Sequence, residues 1–168
     1  MKRHILIMAA FIGSLLLASC GEKQDPLVKQ TDEMFTQAET DLQKIDNLDD
    51  FFAFRESMDG KRDDLSQKII DTYGDLDSIP EEVETILESI LDRAEAYNEK
   101  ESAKYEELLS PILESMETAI ANGDKEAAQE AYATMKKYSD HELPSEEVEE
   151  RCAKIISGLF EMGVLEIE

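Results

Sequence analysis

Apolar residues recur at intervals of three, four and seven along most of the chain, the spacing of one face of an α-helix. The first such stripe follows Asp25-Pro26, a pair that suits a helix start because Asp caps free N–H groups and Pro costs nothing at the first helical position. It predicts a helix with an inner face of Leu27, Met34, Ala38, Leu42 and Ile45. The polar residues Asn47 to Asp50 then form a break that can cap a second helix.

Two further stripes follow. The second carries Phe51, Phe54, Met58, Leu65, Ile69 and Tyr73. Gly60 in its middle predicts the end of a first short helix, and Gly74 predicts a C-terminal cap. The third starts at Ser78-Ile79-Pro80-Glu81, which combines a capping box with an early Pro. It continues to Ser110-Pro111, where Pro disfavours helical geometry at the residue before it, so we expect a break or kink there.

The last third of the chain predicts an αα-hairpin and a final helix. Residues 112–121 and 127–138 form the two helices of the hairpin, with Asn122-Gly123-Asp124 as its turn. About 15 residues around Gly123, Ala128, Tyr132 and Met135 resemble the second helix of a tetratricopeptide unit, but no 34-residue periodicity accompanies them. Leu143-Pro144-Ser145 starts the final helix, whose inner face carries Val148, Cys152, Ile155, Leu159 and Met162.

No segment alternates β-branched residues between turns, so the pattern predicts an all-α fold. Short connections favour antiparallel neighbours. We therefore expect an antiparallel bundle of four to five main helices, with a kink or break at Ser110-Pro111, formed by residues 25–168 as one domain.

Residues 1–19 have the layout of a signal peptide. Met1-Lys2-Arg3-His4 is basic, and the apolar stretch from Ile5 to Ala18 is shorter than the roughly 20 residues that a membrane-spanning helix needs. Small residues and then a polar segment follow at once. A cleavable signal is therefore favoured over a membrane span.

Leu17-Ala18-Ser19-Cys20 resembles the lipobox of bacterial lipoproteins. The resemblance implies cleavage by signal peptidase II, acylation of Cys20 and a lipid anchor in the membrane, which is stable when two or three acyl chains insert. Gly21 stands where Asp would resemble an inner-membrane retention signal, which favours the outer membrane. Residues 20–24 are then a short lipid-attached linker. The alternative is a soluble secreted protein whose cleavage site happens to contain a cysteine.

Removal of residues 1–19 changes the charge balance from 17 basic residues to 15 against 40 acidic ones, and the formal charge from −23 to −25. Such a field repels nucleic acids and anionic headgroups and attracts cationic peptides and basic protein surfaces. Acids spread through helices also serve solubility alone. We expect no nucleic-acid partner and, where there is a partner, a basic one.

Residues that carry enzyme chemistry are scarce after residue 20. The single histidine there, His141, lies between Asp140 and Glu142, where it favours an exposed turn over a catalytic triad or a metal site. Cys152, the only thiol besides Cys20, lies among apolar residues and favours an inert core position. Di-iron and calcium-loop spacings both fail; the calcium loop that would start at Asp75 has Ile79 and Pro80 where a ligand and Gly are needed. We therefore expect no catalytic residues, no metal and no cofactor.

Phe52 belongs to the one local concentration of aromatic residues. It lies about 100° around the helix from the side that carries Phe51 and Phe54, so it is a candidate partner contact, unless the bundle surrounds this segment on two sides. The leading hypothesis is a lipid-anchored, non-enzymatic binding or adaptor module for an envelope protein or peptide. The alternatives are a structural or protective surface lipoprotein without a specific partner, and an immunity-type inhibitor of a basic toxin.

Overall fold

The computed structural model describes residues 25–74 and 80–165, which form five helices and no strand. They are α1 (Pro26–Leu42), α2 (Leu48–Tyr73), α3 (Glu81–Asn122), α4 (Lys125–Lys136) and α5 (Glu146–Glu161). The predicted all-α helical bundle is confirmed. The signal peptide, the lipobox with Cys20, the linker up to residue 24, and Ser78 and Ile79 lie outside the described residues.

Three of the helices, α1, α2 and α5, begin at the residues that the sequence indicates, whereas α4 begins at Lys125, two residues before the predicted start. The side chains of Asp25, Asn47, Asp124 and Ser145 each accept a hydrogen bond from a backbone N–H in the first turn of the following helix. These bonds satisfy donors that have no partner inside the helix. Gly123 ends α3 with a φ of 68°. This value lies in the left-handed region that glycine adopts without strain.

The long helix α3 is the axis of the molecule. It contains 42 residues and contacts each of the other four helices. At about 1.5 Å per residue, such a helix spans roughly 60 Å. Along its first half, α1 runs parallel to it and α2 antiparallel, so that Leu27 and Leu65 both pack near Ile90. Along its second half, α4 folds back after Gly123 and α5 again runs parallel. Two three-helix bundles therefore share one helix.

The bundle core changes in character along α3. Along α1 the buried residues form two small clusters, one around Ile90 near its start and one around Tyr97 farther along. From Tyr105 onward a single larger cluster joins the start of α2 with α4 and α5. Its buried members on α5 are Val148, Cys152, Ile155 and Leu159, the inner face predicted from the sequence.

Two predicted interruptions are absent. The expectation that a first helix ends at Gly60 is wrong, because α2 passes through this residue between the buried Met58 and Leu65. Likewise, α3 does not break at Ser110-Pro111 but runs unbroken from Glu81 to Asn122 with Pro111 inside it. Pro111 is exposed, and the buried Leu109 and Leu113 on either side hold both halves of the helix against the same core. This packing offsets the backbone hydrogen bond that a proline removes.

Candidate functional site

A stripe of carboxylates follows one side of α3 from Glu88 to Glu106. Its members are Glu88, Asp92, Glu95, Glu99 and Glu106, and all are exposed. They recur at spacings of three, four and seven, so they lie on one side of the helix, away from the residues that pack on α1 and α2. We call these residues the acidic face.

The acidic face lies in line with α5. Farther along α3 the same helical stripe continues as Leu113, Glu117 and Ile120, against which α5 packs. There Arg151 donates to Glu117 at 2.6 and 2.8 Å. Gly158 of α5 lies so close to Ile120 that a Cβ added there would meet its side chain at 2.9 Å. Because α5 begins only at Glu146, no helix within residues 25–74 and 80–165 covers the stripe from Glu88 to Glu106.

A shallow groove marks the point where the open stretch meets the start of α5. It is lined by Glu95, Asn98, Glu99, Ser102, Ala103, Glu106, Pro144 and Ser145, and its volume is about 460 Å³. One wall is α3, and the other is the end of the turn between α4 and α5. The groove therefore combines an acidic floor with a wall supplied by a separate element.

The carboxylates of the acidic face make no ion pair and no side-chain hydrogen bond within the described part of the chain. Basic side chains of α3 are directed elsewhere: Arg93 pairs with Glu39 at 2.7 Å, and Lys100 pairs with the same carboxylate at 2.8 Å. Lys104 pairs with Glu107 at 3.0 Å. The negative charge of the acidic face is therefore not neutralised by neighbouring side chains in residues 25–74 and 80–165.

Phe52 lies beneath the turn between α4 and α5. Its ring stacks on His141 with ring centroids 3.6 Å apart and planes inclined by 11°. Tyr138 stacks on the same ring at 5.6 Å, and Tyr105 meets it edge-on at 5.2 Å. Phe52 is half-buried, so the bundle surrounds it on more than one side. Its role as a partner contact stays a prediction.

His141 is exposed as expected, but it is not solitary, since one side of its ring is covered by Phe52. Nearby, Tyr138 donates to Asp49 at 3.0 Å. Burial and this hydrogen bond raise the pKa of the Tyr138 phenol, so it stays a donor at neutral pH. The turn is thus held to α2 by two stacked rings and one hydrogen bond.

Cys152 is buried in the larger core cluster, where burial raises the pKa of its thiol. A buried, protonated thiol is a poor nucleophile, which agrees with the expected core position. Residues 25–74 and 80–165 contain no group of three His, Cys, Asp or Glu side chains arranged to hold a metal ion. In the same residues, no helix is long and apolar enough to cross a membrane.

The acidic face was missed by sequence reasoning. Acids at these positions predict no more than a solvated surface, because an amphipathic surface helix carries polar residues opposite its apolar stripe. The spacing of Glu88, Asp92, Glu95 and Glu99 was a readable signal, but the opening beside them depends on where α5 begins in space. Comparison of the chain with protein-family models, curated proteins and solved structures gave no match.

Proposed function

We propose that this chain is a lipid-anchored, non-enzymatic adaptor of a bacterial cell envelope that binds a basic protein or peptide through the acidic face of α3. The observation that carries the proposal is the set of unneutralised carboxylates in the open position that continues the line of α5. In the second half of α3 this position is filled by a helix. From Glu88 to Glu106 no helix of the described part of the chain fills it, which would leave room for a segment of another molecule.

The chemistry of the acidic face favours a cationic partner. Lys or Arg side chains of a bound segment would meet Glu95, Glu99 and Glu106, and each pair would gain from partial exclusion of water in the groove. The high negative charge of the chain would also speed encounter with a basic surface and make binding weaken as salt rises. Nucleic acids and anionic headgroups would be repelled by the same field.

The anchor part of the proposal rests on the lipobox resemblance at Leu17-Ala18-Ser19-Cys20. Acyl chains on Cys20 would hold the protein at a membrane, with the outer membrane favoured by Gly21. The extended chain from Cys20 to Asp25 reaches at most roughly 18 Å, so α1 would begin close to the bilayer. The anchor is tested by uptake of an acyl-chain analogue. Label that persists in Cys20→Ala would contradict acylation at this residue.

The binding part is tested by crosslinking in intact cells followed by purification of the acylated protein. The test variant is Glu95→Gln/Glu99→Gln/Glu106→Gln, which neutralises the groove. The matched control is Glu56→Gln/Asp63→Asn/Asp64→Asn, which removes the same number of exposed carboxylates from α2, again ones without an ion pair among the described residues. We expect a reproducible partner with the native chain and the control, and a yield roughly tenfold lower with the test variant.

An equal loss of crosslinked partner in the two variants would instead favour the protective surface lipoprotein. Its binding would depend on total charge and not on a particular face. Absence of any partner under several growth conditions would count against the adaptor. The salt dependence of a purified complex further distinguishes the adaptor from the protective lipoprotein. A partner bound in a defined groove retains some contacts after the charges are screened.

A further inference from the structure

We propose that Phe52 is a positioning residue for the groove: by stacking on His141 it fixes the turn between α4 and α5 and thereby places the second wall of the groove. The proposal rests on the proposed function for its effect on binding, but its effect on the turn stands on the geometry alone. It assigns Phe52 an indirect role, in which it acts on a partner through the turn.

The turn from Lys137 to Ser145 has little regular structure to hold it. Its backbone N–H groups donate to other backbone groups near its start, and the last two such bonds run from Ser139 to Lys136 at 3.3 Å and from His141 to Tyr138 at 3.1 Å. From His141 onward the contacts that fix the turn are made by side chains: the ring on Phe52, and Leu143 against the larger core cluster. The ring contact is therefore what holds the middle of the turn to α2.

The stacked ring is three residues from the groove wall. Pro144 and Ser145 line the groove opposite Glu99, Ser102 and Glu106, and Ser145 also caps α5 by accepting from Val148 at 3.4 Å. A shift of His141 changes where the chain enters this cap. The position of the wall is thus coupled to the ring contact through three residues of the turn, whereas the acidic floor belongs to the continuous helix α3.

The stack also connects the two bundles. Phe52 belongs to α2 of the first bundle, and His141 precedes α5 of the second. Besides the shared helix α3 and the larger core cluster, the aromatic contact and the hydrogen bond from Tyr138 to Asp49 are side-chain links between these two parts. At such a link Phe52 affects the position of the wall, Pro144 and Ser145, relative to the acidic floor on α3. It does so without touching a partner.

The test measures amide hydrogen exchange of the turn and binding of a synthetic lysine-rich amphipathic helical peptide, in the full chain from Cys20 onward. His141→Ala is the first variant, because His141 is exposed and its truncation leaves the core intact. We expect exchange at Tyr138, Ser139 and His141 to rise roughly 2- to 10-fold, the range that an aromatic pair contributes, with a similar loss of peptide affinity. His141→Phe keeps a flat ring and should restore both.

Phe52→Leu is the second variant, since it keeps apolar volume in the core but removes the stacked ring. It should give the same local increase in exchange while amides of α5 keep their protection. Phe160→Ala is the matched control, because it truncates an aromatic ring that is 41 % exposed on α5, away from the groove. It should leave the turn and the peptide affinity unchanged.

Unchanged exchange of the turn in both His141→Ala and Phe52→Leu would overturn the proposal. Faster exchange with unchanged affinity would overturn the coupling between the turn and the groove. If the native chain binds the peptide no better than Glu95→Gln/Glu99→Gln/Glu106→Gln does, the proposed function fails, while the exchange arm still decides whether Phe52 positions the turn.

Discussion

The two bundles that share α3 differ in what they bury. In the first, Tyr97 is fully buried beside Glu101, which is 7 % exposed, and neither the Tyr97 hydroxyl nor Oε1 of Glu101 has a hydrogen-bond partner in the described structure. In the second, the buried residues are apolar apart from the thiol of Cys152 and the hydroxyl of Tyr105. One helix therefore passes from a small, partly polar core into a larger and mostly apolar one.

The difference indicates which bundle contributes more to the free energy of unfolding. A buried polar atom without a partner costs about 1–3 kcal/mol, whereas each buried apolar side chain contributes a similar amount in the favourable direction. The second bundle thus has the stronger core. The first bundle, which begins next to the proposed anchor and carries the acidic face, retains polar groups that reduce its stability and are held by ion pairs such as Arg62–Glu101 at 2.7 Å.

The largest expected effect comes from removing apolar volume in the second bundle. Leu159 is fully buried in the larger cluster. Leu159→Ala should therefore lower the free energy of unfolding by roughly 2–5 kcal/mol. Leu65 belongs to a small cluster and is already 8 % exposed. Because few buried side chains surround Leu65, Leu65→Ala should cost about 2 kcal/mol, the lower end of this range. Urea unfolding measures the free energy of unfolding of both variants. An equal or larger loss for Leu65→Ala would contradict the stronger core of the second bundle.

The next effect concerns the ion pair inside the first bundle. Arg62→Met leaves the buried Glu101 carboxylate without its cation, and we expect a loss of about 1–3 kcal/mol in the free energy of unfolding. The control is Lys104→Met, whose partner Glu107 is 68 % exposed. It should cost under about 0.5 kcal/mol. Chemical unfolding measures the free energy of unfolding of the two variants. Costs of the same size would show that the burial of Glu101 is unimportant.

A smaller effect, of opposite sign, is expected at Tyr97. Its hydroxyl lacks a hydrogen-bond partner among the described residues. Tyr97→Phe should therefore leave stability unchanged or raise it by up to about 1 kcal/mol. Tyr73→Phe is the control, because Tyr73 donates to Asp25 at 3.2 Å. Loss of that bond should cost about 0.5 kcal/mol. Thermal unfolding compares the two, and clear destabilisation by Tyr97→Phe would mean that this hydroxyl has a partner after all.

The smallest expected effect concerns an ion pair on the surface of the second bundle. The hydrogen bonds from Arg151 lower the pKa of Glu117, so this carboxylate stabilises the fold above its ordinary pKa and loses that contribution as the pH falls through the lowered value. Glu117 is 43 % exposed, so the contribution is a few tenths of a kcal/mol. Glu117→Gln should therefore lower the melting temperature slightly at neutral pH and have no effect at pH values below the lowered pKa. A constant difference across the pH range would contradict the ion-pair account.

Much of the fold could be predicted from the sequence because local rules and burial agree. Asp25, Asn47 and Ser145 cap helices as their positions indicate, and the apolar spacing identifies most of the inner faces. The rules failed at Gly60 and at Ser110-Pro111, where buried residues on both sides keep the helix continuous. Tertiary packing there outweighs the intrinsic preference of a single residue.

Less of the candidate site could be predicted from the sequence. His141 was correctly placed in an exposed turn, but its stacking on Phe52 joins residues far apart in the sequence and leaves no local signal. The acidic face has helical spacing, yet its opening depends on the start of α5 relative to α3. Both features arise from the packing of distant elements, which periodicity along one helix does not contain.

The most direct test of the central claim, that the acidic face of α3 binds a basic partner, is site-specific photocrosslinking in intact cells. A photoreactive residue replaces Ala103 in the groove or, as a control, the exposed Ala133 on α4. We predict that position 103 captures a basic protein or peptide, that position 133 does not, and that Glu95→Gln/Glu99→Gln/Glu106→Gln abolishes the capture. Equal capture from the two positions, or capture that persists in the neutralised variant, would contradict the account.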